Sequence, residues 1–180
     1  LIYHVQTGDL MKQGYLAPTK YYSLRVVEPS KLKVNSTGAD YKDESLKAYY
    51  EMINFREQLN KIIIRLACAD RKNILVFTKF VEEAQYIVDS FPEEAAIVTG
   101  KTKKKEWERI LEDFKSGKIG IVANVGVLTT GFDYPELDTV ILARPTLSLA
   151  LYYQMIGRIL RPHENKKEAW VIDLCQTFER

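Results

Sequence analysis

From Asn73 onward the chain alternates short, nearly continuous apolar runs with stretches whose apolar residues recur at helical spacing, and few architectures accommodate that rhythm. The runs are Ile74-Leu75-Val76-Phe77, Ala95-Ala96-Ile97-Val98, Ile119-Gly120-Ile121-Val122-Ala123, Thr139-Val140-Ile141-Leu142-Ala143 and Trp170-Val171-Ile172. A strand with one wet face would alternate apolar and polar residues. Unbroken runs are what strands covered on both faces of a parallel sheet require. Between them, Phe80, Ala84, Ile87, Val88 and Phe91 fall on one helical stripe. Trp107, Ile110, Leu111 and Phe114 form a second, which Gly117 would terminate. The expected fold is α/β, with a mainly parallel central sheet flanked by helices. In such sheets ligands sit at the carboxyl ends of the strands, so the residues just after each run carry the functional information.

The first 70 residues have a different texture. Thr7 to Lys12 reads as a short helix stopped by Gly14, Lys20 to Glu28 as a strand between Pro18 and Pro29, and 30–43 as an exposed loop. Glu44 to Ala69 reads as helical, with Ile62, Ile63, Leu66 and Ala69 on its apolar face. The division expected is a lead-in over 1–70 and a main domain over 71–180. The sequence has 180 residues, 46% hydrophobic and 28% charged, with a net charge of +2. These values fit an ordinary globular chain and exclude collagen, a disulfide scaffold or wholesale disorder. No apolar run approaches the ~20 residues of a membrane helix. Leu1 is not an initiator Met and no leader follows it, so the chain reads as the interior of a longer protein. Cys68 and Cys175, and His4 and His163, are scattered, so no metal site is expected. Both thiols read as buried and free in a reducing cytoplasm.

Ala95 to Thr102, A-A-I-V-T-G-K-T, matches a relaxed phosphate-binding loop placed between a strand and a helix. Ala96-Ile97-Val98 looks like the strand itself, which leaves only Thr99 to Thr102 to wrap around phosphates. The match is therefore rejected. Lys101, Lys103, Lys104 and Lys105 crowd the start of the following helix, where the macrodipole disfavours cations. A solvated lysine face and a contact to a nucleic-acid backbone are both open.

The helix expected over Ser148 to Leu160 carries the strongest signal. At about 100° per residue, Gln154, Arg158 and Arg161 share one narrow face. Leu149, Tyr152, Ile156, Ile159 and Leu160 lie opposite. Gly157, beside the polar stripe, costs roughly 1 kcal/mol relative to Ala, which suits a close approach to the backbone there. Two parallel guanidiniums match the charge of a transferring phosphoryl group, but a solvent-facing cationic stripe has the same spacing. In Thr129-Thr130-Gly131-Phe132-Asp133-Tyr134-Pro135, Gly131 permits close backbone approach and Asp133 offers a carboxylate to a ribose hydroxyl or a water.

Taken in order, F-T-K-F (Phe77 to Phe80), T-G-K (Thr99 to Lys101), V-L-T-T-G-F-D-Y-P (Val127 to Pro135) and Q-M-I-G-R-I-L-R (Gln154 to Arg161) resemble the C-terminal RecA-like domain of superfamily 2 DEAD/DEAH-box helicases. The resemblance covers about 73–175. Together with A-R-P-T-L-S (Ala143 to Ser148) it is similar to the RadD-like DNA repair helicases and their restriction-enzyme relatives, and Gln13 to Pro18 looks like the link from a first motor domain. The resemblance implies a RecA-like three-layer sandwich that works with ATP and Mg2+, the metal held mainly by an N-terminal RecA-like domain elsewhere in the same chain. It implies Arg158 and Arg161 as arginine fingers, with Gln154 linking them to the bound strand. Gly131, Asp133 and Gly157 would lie at the nucleotide. Thr78, Lys79, Thr99, Gly100, Lys101 and Thr129 would lie along nucleic acid, with DNA the expected kind. Gly126 stands where many relatives carry Asp, Thr130 where DEAD-box proteins carry Arg, and Pro162-His163 where a Gly-rich continuation is common. Two other readings remain: a self-contained phosphate-loop NTPase or kinase, and a non-enzymatic α/β module that binds anions.

Overall fold

The computed structural model describes residues 2–3, 19–126, 136–157 and 168–177. Seven strands form one sheet: β1 (Ile2–Tyr3), β2 (Thr19–Ser23), β3 (Ile74–Thr78), β4 (Ala95–Val98), β5 (Ile121–Val125), β6 (Thr139–Ala143) and β7 (Ala169–Asp173). Five helices accompany them: α1 (Asp43–Met52), α2 (Phe55–Cys68), α3 (Val81–Ser90), α4 (Lys104–Ser116) and α5 (Leu149–Gly157). The strand order is β1-β2-β7-β6-β3-β5-β4, parallel from β2 to β4, with β1 antiparallel at the edge. This is the expected α/β sandwich of RecA-like type.

The period of two within each run divides the core. On β3, Ile74 and Val76 face one layer, and Leu75 and Phe77 the other. The first layer is closed by Leu46 of α1, Phe55, Leu59 and Ile63 of α2, and Ala84 and Ile87 of α3. The second is closed by Ile110 and Phe114 of α4 and Ile156 of α5. Both faces are dry, which is why the strands lack polar alternation. Gly117 caps α4 in the left-handed conformation, φ 81°, as its place after Phe114 anticipated.

Three expectations need correction. The helical stretch from Glu44 is two helices, broken at Ile53-Asn54, where Asn54 adopts φ 52°. The Gln58 side chain donates to the freed Ile53 carbonyl at 2.6 Å. The strand expected over Lys20 to Glu28 stops at Ser23, although the chain keeps bonding to the β7 exit: Leu24 N–H to Asp173 O at 2.9 Å and Val27 N–H to Leu174 O at 2.8 Å. Cys175 is buried, but Cys68 lies exposed on the last turn of α2, on the side away from Leu66. The Thr7–Lys12 helix and the Gln13–Pro18 link lie outside the described residues.

Candidate functional site

Parallel registry aligns the strand exits. Thr78 is opposite Val125 on one side and Ala143 on the other, and Val98 is opposite Asn124. The carboxyl edge therefore collects Thr78-Lys79, Thr99-Gly100-Lys101, Gly126 and Arg144 on neighbouring strands, and α5 departs from the same edge after β6. Gly126 N–H donates to Thr78 O at 3.1 Å, joining the β5 and β3 exits.

The sequence-derived residues sit there in different ways. Thr78 is wholly buried, with its hydroxyl 3.3 Å from Phe80 O and 3.4 Å from Asn124 O, so its side chain faces inward. Lys79 is half-covered and pairs with Asp43 at 3.8 Å. Gly100 and Lys101 are exposed. Gly157 is exposed at the end of α5, and an added Cβ there would meet nothing within 4 Å among the described residues. No packing inside the described chain demands that glycine. Gln154 lies on α5 with its side chain outside the described part, and Thr129, Gly131, Asp133, Arg158 and Arg161 lie outside the described residues.

Local geometry decides the fate of the Thr99–Thr102 turn. Thr99 N–H donates to the Thr102 hydroxyl at 2.9 Å, Lys101 N–H to the Thr99 hydroxyl at 3.1 Å, and Thr102 N–H to Thr99 O at 3.1 Å. Three of the four amides that a phosphate would need are used within the turn. The strand before it, β4, is also an edge strand. The turn leads straight into α4, whose start carries Lys103 as an N-cap without a side-chain cap bond, then Lys104 and Lys105. Lys104 and Glu108 stand 4.0 Å apart, both largely exposed.

Other residues at this edge were not singled out as site residues. Arg144 follows β6 with a side chain only 4% exposed. It donates through Nη1 to Gly126 O at 2.9 Å and reaches Asp40 Oδ2 through Nη2 at 3.9 Å. Burial lowers its pKa from the ordinary arginine value, while Asp40, Tyr50 and Asp43 oppose the shift. Tyr50 donates to Ala143 O at 3.3 Å, and burial holds its phenol well above the usual range. Glu83 of α3 is 3% exposed, with Oε1 lacking a hydrogen-bond partner among the described residues. Burial and then Glu82 raise its pKa to about 7, against Arg56 and Lys47. A charge directly after a buried apolar strand was a usable signal for Arg144. Nothing local marked Asp40, which lies in a loop without periodicity.

A parallel sheet buried on both faces, with basic and polar groups gathered at its carboxyl edge, is the architecture of an α/β domain that binds its ligand at that edge. Residues 55–163 match the family model described as the helicase conserved C-terminal domain, and the chain belongs to that family. Among curated relatives, it is 31% identical to a 51.5 kDa protein of a Lactococcus phage, over 91% of this chain and 36% of that protein. It is also 31% identical to the ATP-dependent DNA helicase uvsW of Enterobacteria phage T4, over 96% of this chain and 35% of that one. Among solved structures, it resembles an HsdR-type fragment of a type I restriction enzyme from Vibrio vulnificus, at 25% identity and a TM-score of 0.65, covering 92% of this chain and 33% of the fragment. The chain spans about a third of the length of the curated relatives it matches.

Proposed function

We propose that this chain is the second motor domain of an ATP-dependent nucleic-acid helicase or translocase, acting on DNA. On this reading an N-terminal RecA-like domain of the same longer protein holds most of the nucleotide and its Mg2+. Arg158 and Arg161 then reach the γ-phosphate as the two domains close, and stabilise the charge that develops during phosphoryl transfer. Such a finger is worth about 3–5 decades in rate. Gln154 connects that face to the bound strand, while Gly131, Asp133 and Gly157 contact the nucleotide. Lys79, Lys101 and the backbones of Thr78, Thr99, Gly100 and Thr129 follow the nucleic acid.

The observation that carries the reading is the place of α5. It begins just past the β6 exit, at the carboxyl edge where ligands of parallel sheets bind, and Gln154, the first residue of the Gln154-to-Arg161 pattern, belongs to it. The spent amides of the Thr99–Thr102 turn weigh against a self-contained phosphate-loop enzyme. ATP turnover by purified residues 1–180 separates the two. The half-site predicts none beyond background, with or without DNA. Enzyme-like turnover by this chain alone, abolished by Lys101→Ala, would instead establish the self-contained NTPase.

A further inference from the structure

We infer that Asp40 and Arg144 form a strut that positions both nucleotide-facing stretches of the domain, the one leaving β5 and the one entering α5. The inference rests on the function proposed above. Arg144 holds the Gly126 carbonyl, the last described position before the Thr129–Asp133 stretch. Its second nitrogen meets Asp40 Oδ2, and Asp40 Oδ1 in turn accepts the Leu147 N–H at 3.3 Å, two residues before α5. One guanidinium and one carboxylate thus tie together chain at 40, 126 and 144–147.

The carboxylate is itself fixed. Asp40 sits on a closed loop: Val34 bridges to Tyr41, Asn35 N–H donates to Asp40 O at 2.7 Å, and Asn35 Oδ1 accepts the Ala39 N–H at 3.2 Å. Tyr41 N–H binds Asp40 Oδ1 at 2.9 Å, and the Tyr41 ring is anchored in the core. Burying an arginine is costly unless its charge is met, and a planar fork can serve a carbonyl and a carboxylate at once; Nη1 and Nη2 are used in this way, while Nε has no hydrogen-bond partner among the described residues. A lysine ammonium cannot hold both in this geometry. The loop lies N-terminal to residues 55–163, so the contact comes from a part of the chain outside the stretch that the family model matches. Asp43, three residues on, pairs with Lys79 at the β3 exit, so the same segment also reaches the neighbouring strand. Asp40 and Arg144 are positioning residues; neither needs to touch ATP.

The test uses Asp40→Ala, Asp40→Asn and Arg144→Lys. Amide exchange at Leu147 is read in the chain itself, and kcat and KM for ATP in the longer protein with DNA present. For Asp40→Ala the strut predicts faster Leu147 exchange, and a kcat lower by about tenfold or more with KM changed less than about twofold. Arg144→Lys lowers kcat to a similar extent. Asp40→Asn, which keeps an acceptor for Leu147 but not the charge, falls between Asp40→Ala and the wild type, and it carries the test if Asp40→Ala does not fold. A reduced melting temperature with wild-type kcat in both Asp40→Asn and Arg144→Lys overturns the strut, as does unchanged Leu147 exchange in Asp40→Ala. The proposed function fails separately: if Arg158→Ala leaves turnover intact, that reading falls, while Leu147 exchange still reports on the strut.

Discussion

Glu83 shows how a single buried charge shapes this domain. It lines the same cavity as Tyr50 and Phe80 at the start of α3, with one oxygen lacking a hydrogen-bond partner among the described residues and a pKa raised to about 7. In the unfolded chain the same group ionises near pH 4.5. Between those values the folded state binds the extra proton, so stability attributable to Glu83 is fully present below about 4.5 and declines as the pH rises through about 7. Glu83→Gln should therefore raise the melting temperature at pH 8 by more than at pH 5. Equal shifts at both values would refute the assignment. Gly126 is a second residue whose identity is set by backbone. Its φ is 86°, yet a Cβ would meet nothing within 4 Å among the described residues, so conformation rather than space selects glycine. Gly126→Ala should cost about 1–2 kcal/mol in chemical denaturation.

At the scale of elements, the strands were readable because each is buried on both faces and its apolar run is uninterrupted. The helix carrying Trp107, Ile110, Leu111 and Phe114 was readable because its stripe is regular and its terminator is a glycine. The break between α1 and α2 was not, because it depends on one left-handed Asn54 inside an otherwise helical pattern. Asn54→Val should destabilise the domain by about 1–2 kcal/mol, whereas Asn54→Gly should be close to neutral. Arg71 was equally silent in the sequence. It clamps the opposite, amino edge of the sheet by donating to Thr139 Oγ1 and to the carbonyls of Asp138 and Glu168, and it stacks 4.4 Å from the Trp170 ring. Those partners lie in two segments, 138–139 and 168–170, that only folding brings to Arg71. Arg71→Lys keeps the charge but loses the fork, and denaturant unfolding should show a loss of about 1–3 kcal/mol. If the carboxyl edge faces the nucleotide as proposed, KM for ATP in the longer protein should not move, because Arg71 is at the other end of the strands.

For the whole molecule, one layer of helices on each face leaves the carboxyl edge of the sheet as the place where polar chemistry gathers. That much could be anticipated from strand-helix alternation. The tie of Arg144 to Asp40 could not, since it depends on contacts across the chain, nor could the spent amides at Thr99–Thr102, which depend on the detailed geometry of the turn. No helix among the described residues is long and apolar enough to cross a membrane. On the proposed function this domain contributes arginines to a nucleotide site completed by another domain. DNA-stimulated ATP turnover by the longer protein carrying Arg158→Ala tests it most directly. The account predicts a fall in kcat of about three decades or more with DNA binding retained. Turnover at the wild-type rate would contradict it.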